Sequence, residues 1–136
     1  MVQTTASASQ SWRVNAGGTA VEAYTPAVAV TRFTSSAITA SNAGGGTQAH
    51  GLGATPKKIW VMMKCITTDV GYAVNDFVNF YQSAYQSFGI QIGADGTNVM
   101  YRFQNVAAPI YIVHKTTGAP TAIALAQWEF YIYAEL

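Results

Sequence analysis

Turn-forming residues cut this chain into apolar pieces too short to be anything but strands. Asp69 to Gly71, Asp95-Gly96, Asn105 to Pro109 and Thr117-Gly118-Ala119-Pro120 separate runs rich in β-branched and aromatic residues, which is the punctuation that reverses a strand. The pieces between them are Lys58 to Ile66, Phe77 to Tyr81, Phe88 to Ile92, Thr97 to Phe103, Ile110 to Lys115, Thr121 to Leu125 and Trp128 to Tyr133. Two further β-like stretches, Ala20 to Tyr24 and Ala27 to Thr34, precede them. No long segment shows 3.6-residue periodicity with caps; the best candidate, Val70 to Tyr85, carries Gly, Asn and aromatics that fit strand and loop better. The pattern predicts an all-β fold, an antiparallel β-sandwich of about six to eight strands.

Alternation along the strands assigns faces. In the last strand Trp128, Phe130 and Ile132 oppose Glu129, Tyr131 and Tyr133, and in Thr97 to Phe103 the residues Val99, Tyr101 and Phe103 oppose Asn98, Met100 and Arg102. The first set of each is the expected core. Lys58 to Ile66 is nearly continuous hydrophobe, so a central strand covered on both faces is expected there. Tyr131 and Tyr133, with Tyr111 and Val113 on the neighbouring segment, leave an aromatic second face. Its simplest burial is against copies of the same chain, and cyclic symmetry is the usual form of such assemblies.

Composition narrows the function. The chain is 50% hydrophobic but only 10% charged, against roughly 25% in an ordinary soluble domain, so much of its surface is expected to face protein. The seven cations are scattered along the 136 residues, with only Lys57 and Lys58 adjacent; nucleic acid is not an expected partner. No apolar run exceeds five residues, Ile59 to Met63 being one, so membrane insertion is not expected, and no secretory signal is read at the N-terminus.

The first residues have a different texture. Met1 to Ser11 is small and hydroxyl-rich, followed by Trp12, Arg13 and a Gly17-Gly18 turn signal. The reading is an extended N-terminal arm over residues 1–18 and a sandwich over 19–136. Trp12 and Arg13 are candidate partner-binding residues, with a tail folded back on its own domain as the alternative. Tyr111, Tyr131 and Tyr133 complete the partner-binding set. Ser41 to Gly46, rich in Gly, Ser and Asn, reads as a flexible connection; neither GxGxxG nor a Walker lysine is present.

No catalytic, metal or cofactor site is expected. His50 opens a glycine loop, His114 ends an apolar strand, and the carboxylates Glu22, Asp69, Asp76, Asp95, Glu129 and Glu135 show no spacing that forces two together. Cys65 is the single cysteine, which forbids an internal disulfide and implies an inert core thiol. Trp60, Tyr72, Tyr85, Tyr101 and Tyr111 offer flat surfaces that stack on sugar rings, although core or interface packing accounts for them more simply.

The segments His50-Gly51-Leu52-Gly53-Ala54-Thr55-Pro56-Lys57, Gly71-Tyr72-Ala73-Val74-Asn75-Asp76, Ala94-Asp95-Gly96-Thr97-Asn98-Val99 and Lys115-Thr116-Thr117-Gly118-Ala119, with the closing Trp128 strand, resemble small structural proteins of tailed bacteriophage virions. Domains on phage fibres, head fibres and capsid decoration proteins look similar. The resemblance covers Gln48 to Glu135, about two thirds of the chain. The order of elements is also similar to the H-type lectin sandwich. What the resemblance implies is a homotrimer in the virion, on the capsid surface or a fibre, with no catalytic residue transferred. The expected partners are copies of itself and the major capsid protein or another virion protein, as in a decoration or cement protein. The alternative is a fibre-tip or tail-associated protein that recognises a host glycan.

Overall fold

A computed structural model describes residues 11–14, 17–18, 21–24, 31–79, 89–106 and 110–136. Its contacts divide the chain into two units, Met1–Val30 and Thr31–Leu136. In the first unit, β1 (Ser11–Val14) pairs antiparallel with β2 (Val21–Tyr24), Trp12 opposite Ala23 and Arg13 opposite Glu22. Gly18, at φ +67°, stands in the turn between them. The hairpin therefore straddles the 18/19 boundary expected from the sequence. Gly17-Gly18 reverses the chain here and joins two strands.

The second unit is antiparallel β throughout its described sheets, as the turn spacing predicts. One sheet has β12 (Trp128–Glu135) and β6 (Lys58–Cys65) at its centre, with β7 (Phe77–Asn79) beyond β6. Two short strands, β3 (Arg32–Thr34) and β4 (Ile38–Thr39), share the other edge of β12. Between them Ser35 fills the break. Its N–H donates to the Ile132 carbonyl, and its buried hydroxyl accepts the Ile132 N–H, both at 2.9 Å. The second sheet is β5 (Gly45–Ala49), β9 (Asn98–Phe103) and β8 (Ile90–Ala94), with β9 central. A separate hairpin joins β10 (Tyr111–Val113) and β11 (Pro120–Ala122), and one 3-10 turn, Leu125–Gln127, leads into β12. Several of these strands are only two or three residues long, so the described residues hold more strands than the sequence pattern resolves.

The core lies between the inner faces of the two sheets. Val61, Met63, Cys65, Trp128, Phe130, Ile132 and Ala134 from one sheet, and Ile90, Ile92, Val99 and Phe103 from the other, are buried in a single cluster. Phe103 meets Phe130 edge to face across the gap, ring centroids 5.3 Å apart. The alternation read in the last strand therefore places its residues as expected, and Trp128 is 1% exposed. Its indole N–H donates to Asp69 Oδ2 at 2.9 Å, and Tyr72 packs edge-on against its ring. Cys65 is fully buried, its thiol 3.0 Å from the Thr67 carbonyl, the environment expected of a core thiol.

Two local expectations are corrected. Ser41 to Gly46 is not one flexible connection: the chain turns at Asn42-Ala43, and Gly45 and Gly46 enter β5. Gly46 lies opposite Tyr101, and a Cβ there would sit 2.9 Å from the Tyr101 hydroxyl, so the strand accepts glycine because an aromatic ring covers it. β6 is central, as expected, but among the described residues only one of its faces is closed. Val61, Met63 and Cys65 are buried while Trp60, Met62 and Lys64 are half-exposed.

Candidate assembly surface

The outer face of the β6–β12 sheet is built by strand register alone. Tyr133 pairs with Trp60, Tyr131 with Met62, Glu129 with Lys64 and Glu135 with Lys58. β7 adds Phe77 opposite Lys64 and Asn79 opposite Met62, and β3 adds Arg32 opposite Glu135. Side chains two apart on a strand share a face, so these residues form one surface. An aromatic and thioether centre lies between a Lys58–Glu135–Arg32 border and a Lys64–Glu129 border.

The centre is ordered by its own contacts. Trp60 and Tyr133 stack with centroids 5.2 Å apart and planes 10° from parallel, and the Arg32 guanidinium lies over the Trp60 ring at 5.6 Å. Arg32 is held there by Glu135, whose Oε1 accepts its Nε at 2.8 Å. This places a cation, an indole and a phenol in succession. Tyr131 donates to Glu129 Oε2 at 2.7 Å and leans on Phe77 at 6.5 Å. The hydrogen bond to Glu129, followed by burial and the carboxylate charge, raises the Tyr131 phenol above its ordinary value. Phe77 is 50% exposed, so a large apolar group stands at the rim.

The structure brings Tyr131 and Tyr133 together on this face but not Tyr111. β10 pairs with β11 and not with β12, so Tyr111 stands 42% exposed on a separate hairpin, opposite Ala122. The sequence placed it beside Tyr131 because both strands alternate; which strands are neighbours is a long-range property that alternation does not encode. Trp12 and Arg13 have their backbones in β1, while their side chains lie outside the described residues, as does Tyr85. Of the other proposed sugar-stacking rings, Tyr72 packs on Trp128, and Tyr101 packs on Phe103 with centroids 5.9 Å apart. Alternation had put Glu129 on this face with Tyr131 and Tyr133; Arg32, Met62, Phe77 and Glu135 were missed as members of the surface. The signal for Met62 was present, since Trp60, Met62 and Lys64 alternate with Val61, Met63 and Cys65.

The titratable groups elsewhere serve turns. His50 is buried, with Nε2 donating to the Asp95 carbonyl and Nδ1 accepting the Leu52 N–H, both at 3.0 Å, which fixes one tautomer. Asp95 accepts the N–H groups of Thr97 and Asn98 at 2.7 Å; the Asn98 contact first, then Thr97, holds its carboxyl below the usual range. His114 Nδ1 accepts from the Thr116 N–H and packs beside Gly71. Asp76 pairs with Lys115. Among the described residues no group of three His, Cys, Asp or Glu side chains is placed to hold a metal ion, and no helix is long and apolar enough to cross a membrane. Comparison with protein-family models, curated proteins and solved structures found no match to this chain.

Proposed function

We propose that this chain is a non-enzymatic structural protein of a bacteriophage virion, a decoration or cement protein that seats on the head shell and assembles with copies of itself. The observation that carries the reading is the outer face of the β6–β12 sheet. It sets Trp60, Met62, Tyr131 and Tyr133 in a patch with a fixed stack at its centre and charged residues at two borders, Arg32 and Glu135 of one border being ion-paired. Interfaces that matter energetically have this anatomy, with aromatic anchors inside a polar rim. The low charge of the chain and the resemblance of its Gln48 to Glu135 segments to virion proteins support the same reading. A homotrimer is the form the resemblance implies.

A cement protein needs no chemistry. Binding to assembled shell and not to dissociated subunits shifts the equilibrium toward assembly by mass action, and each copy adds buried area that must be lost before the shell opens. Trp12 and Arg13, on the N-terminal hairpin, are proposed to reach the neighbouring shell protein.

The test is binding of the purified protein, with and without Met1 to Ser11, to shells lacking it, followed by heating of decorated and bare shells. Saturable binding that raises the disruption temperature is the expected result. Failure to bind shells, with retention on host cells or their surface polysaccharide, would overturn it in favour of a receptor-binding fibre component.

A further inference from the structure

The outer face of the three-stranded sheet is hollow. Its registered rows are Gly45, Arg102 and Gln91, then Thr47, Met100 and Gly93, so a glycine flanks the central strand on either side. The two long side chains of β9 lie down over those glycines in opposite directions. A Cβ on Gly45 would fall 2.9 Å from Arg102 Nε, and one on Gly93 would fall 3.2 Å from Met100 Cγ. An Arg102 guanidinium nitrogen donates to the Ala43 carbonyl at 3.2 Å, holding the group across β5. What is left is a trough of about 510 Å³, within the size range of small-molecule sites.

Its chemistry is one cation with mixed walls. The ion pairs among the described residues are Arg32 with Glu135 and Lys115 with Asp76, so no described carboxylate neutralises Arg102. Met100 supplies an apolar side, Thr47 a hydroxyl, and Gln91, whose amide nitrogen donates to the Ile92 carbonyl at 3.1 Å, presents its amide at the opposite corner. We propose that this trough binds a carboxylate-bearing saccharide unit of the hexuronic acid kind. The guanidinium fork matches a carboxylate, a pyranose C–H face lies against Met100, and ring hydroxyls meet Thr47 and Gln91.

An acidic peptide suits the trough less well. The N–H and C=O groups of β5, β9 and β8 lie in the plane of the sheet and point along it toward neighbouring strands, so a peptide lying on this face would find no main-chain partners. A sugar carries its polar groups at its rim and needs none. The site is on the opposite sheet from the aromatic assembly face, so it stands or falls apart from shell binding.

The test uses the full chain with carbon-13 labelled methionine methyls. Glucuronic and galacturonic acid are titrated against glucose and against an acetylated tripeptide with a free carboxylate. The expected result is a saturable shift of the Met100 methyl with either sugar acid while Met62 and Met63 stay fixed. Glucose should bind at least about tenfold more weakly, and Arg102→Gln should lose about the same factor for the acids, as removal of a charge-assisted hydrogen bond does. Arg102→Gln should keep the wild-type melting temperature, because the guanidinium is exposed and makes one backbone hydrogen bond. Arg102→Lys, which keeps the charge without the fork, should fall between the two. No saturable Met100 shift, equal binding of glucose and the acids, or a response to the peptide alone would each overturn the proposal.

Discussion

Replacing Asp69 by Ala removes one acceptor shared by two donors, the indole N–H of Trp128 and the backbone N–H of Ala124, each 2.9 Å from Oδ2. The two losses differ in size. Ala124 is exposed, so its N–H turns to water at little cost. Trp128 is 1% exposed, so its N–H is stranded, and a buried unsatisfied donor costs about 1 to 3 kcal/mol. The expected destabilisation is therefore about 2 kcal/mol, a fall in melting temperature of roughly 8 °C for a domain of this size. Trp128→Phe removes the donor and leaves a void in the ring's place, together about 2 to 3 kcal/mol. In the double variant no donor is stranded, so the double loss should be about 2 kcal/mol smaller than the two single losses added together. Chemical denaturation of the four proteins gives each term. A loss below about 0.5 kcal/mol for Asp69→Ala, or strict additivity in the cycle, would refute the assignment of Asp69 as the clamp on the core tryptophan.

Other expectations follow from named contacts. Tyr133→Ala removes the stack on Trp60 and should cost about 1 to 2 kcal/mol of stability; on the proposed assembly it should also abolish self-association in sedimentation, and self-association that persists in the variant would place the interface elsewhere. Gly45→Ala should destabilise by about 1 to 2 kcal/mol, since its Cβ would meet the Tyr101 carbonyl at 2.7 Å, a backbone atom that cannot swing away; the unfolding midpoint reads this. The Lys115 hydrogen bond, followed by that of the Ala73 N–H, depresses the Asp76 carboxyl. The stability it contributes is present above the unfolded value of about 3.9 and is lost as pH falls through the lower folded value. Lys115→Met should thus move the Asp76 carboxyl resonance titration upward toward the ordinary range. Glu129→Gln should bring the Tyr131 phenol titration back down, because the hydrogen bond to the carboxylate is the main cause of its elevation; ultraviolet absorbance against pH follows it.

Much of this molecule was legible in local pattern. Turn residues located the reversals, and period-two alternation sorted Trp128, Phe130 and Ile132 into the core and Tyr131 and Tyr133 out of it, because the pleat ties side-chain direction to sequence parity. Cys65 is buried, as its apolar neighbours imply. Gly45 and Gly46 misled for a physical reason. Glycine signals a turn by its backbone freedom, yet here Tyr101 and Arg102 from β9 lie over both residues and make a strand of them.

The sequence by itself determined the class of fold, the strand faces and the buried tryptophan, all of which depend on residues a few positions apart. Tertiary structure alone decided which strands are neighbours. It set Tyr133 on Trp60 and Arg32 on Glu135 across 103 positions, removed Tyr111 from that face, and laid Arg102 and Met100 over two glycines to hollow the opposite sheet. Those outcomes depend on pairing between distant segments, and pairing is fixed by how whole faces bury together and not by any short stretch of chain.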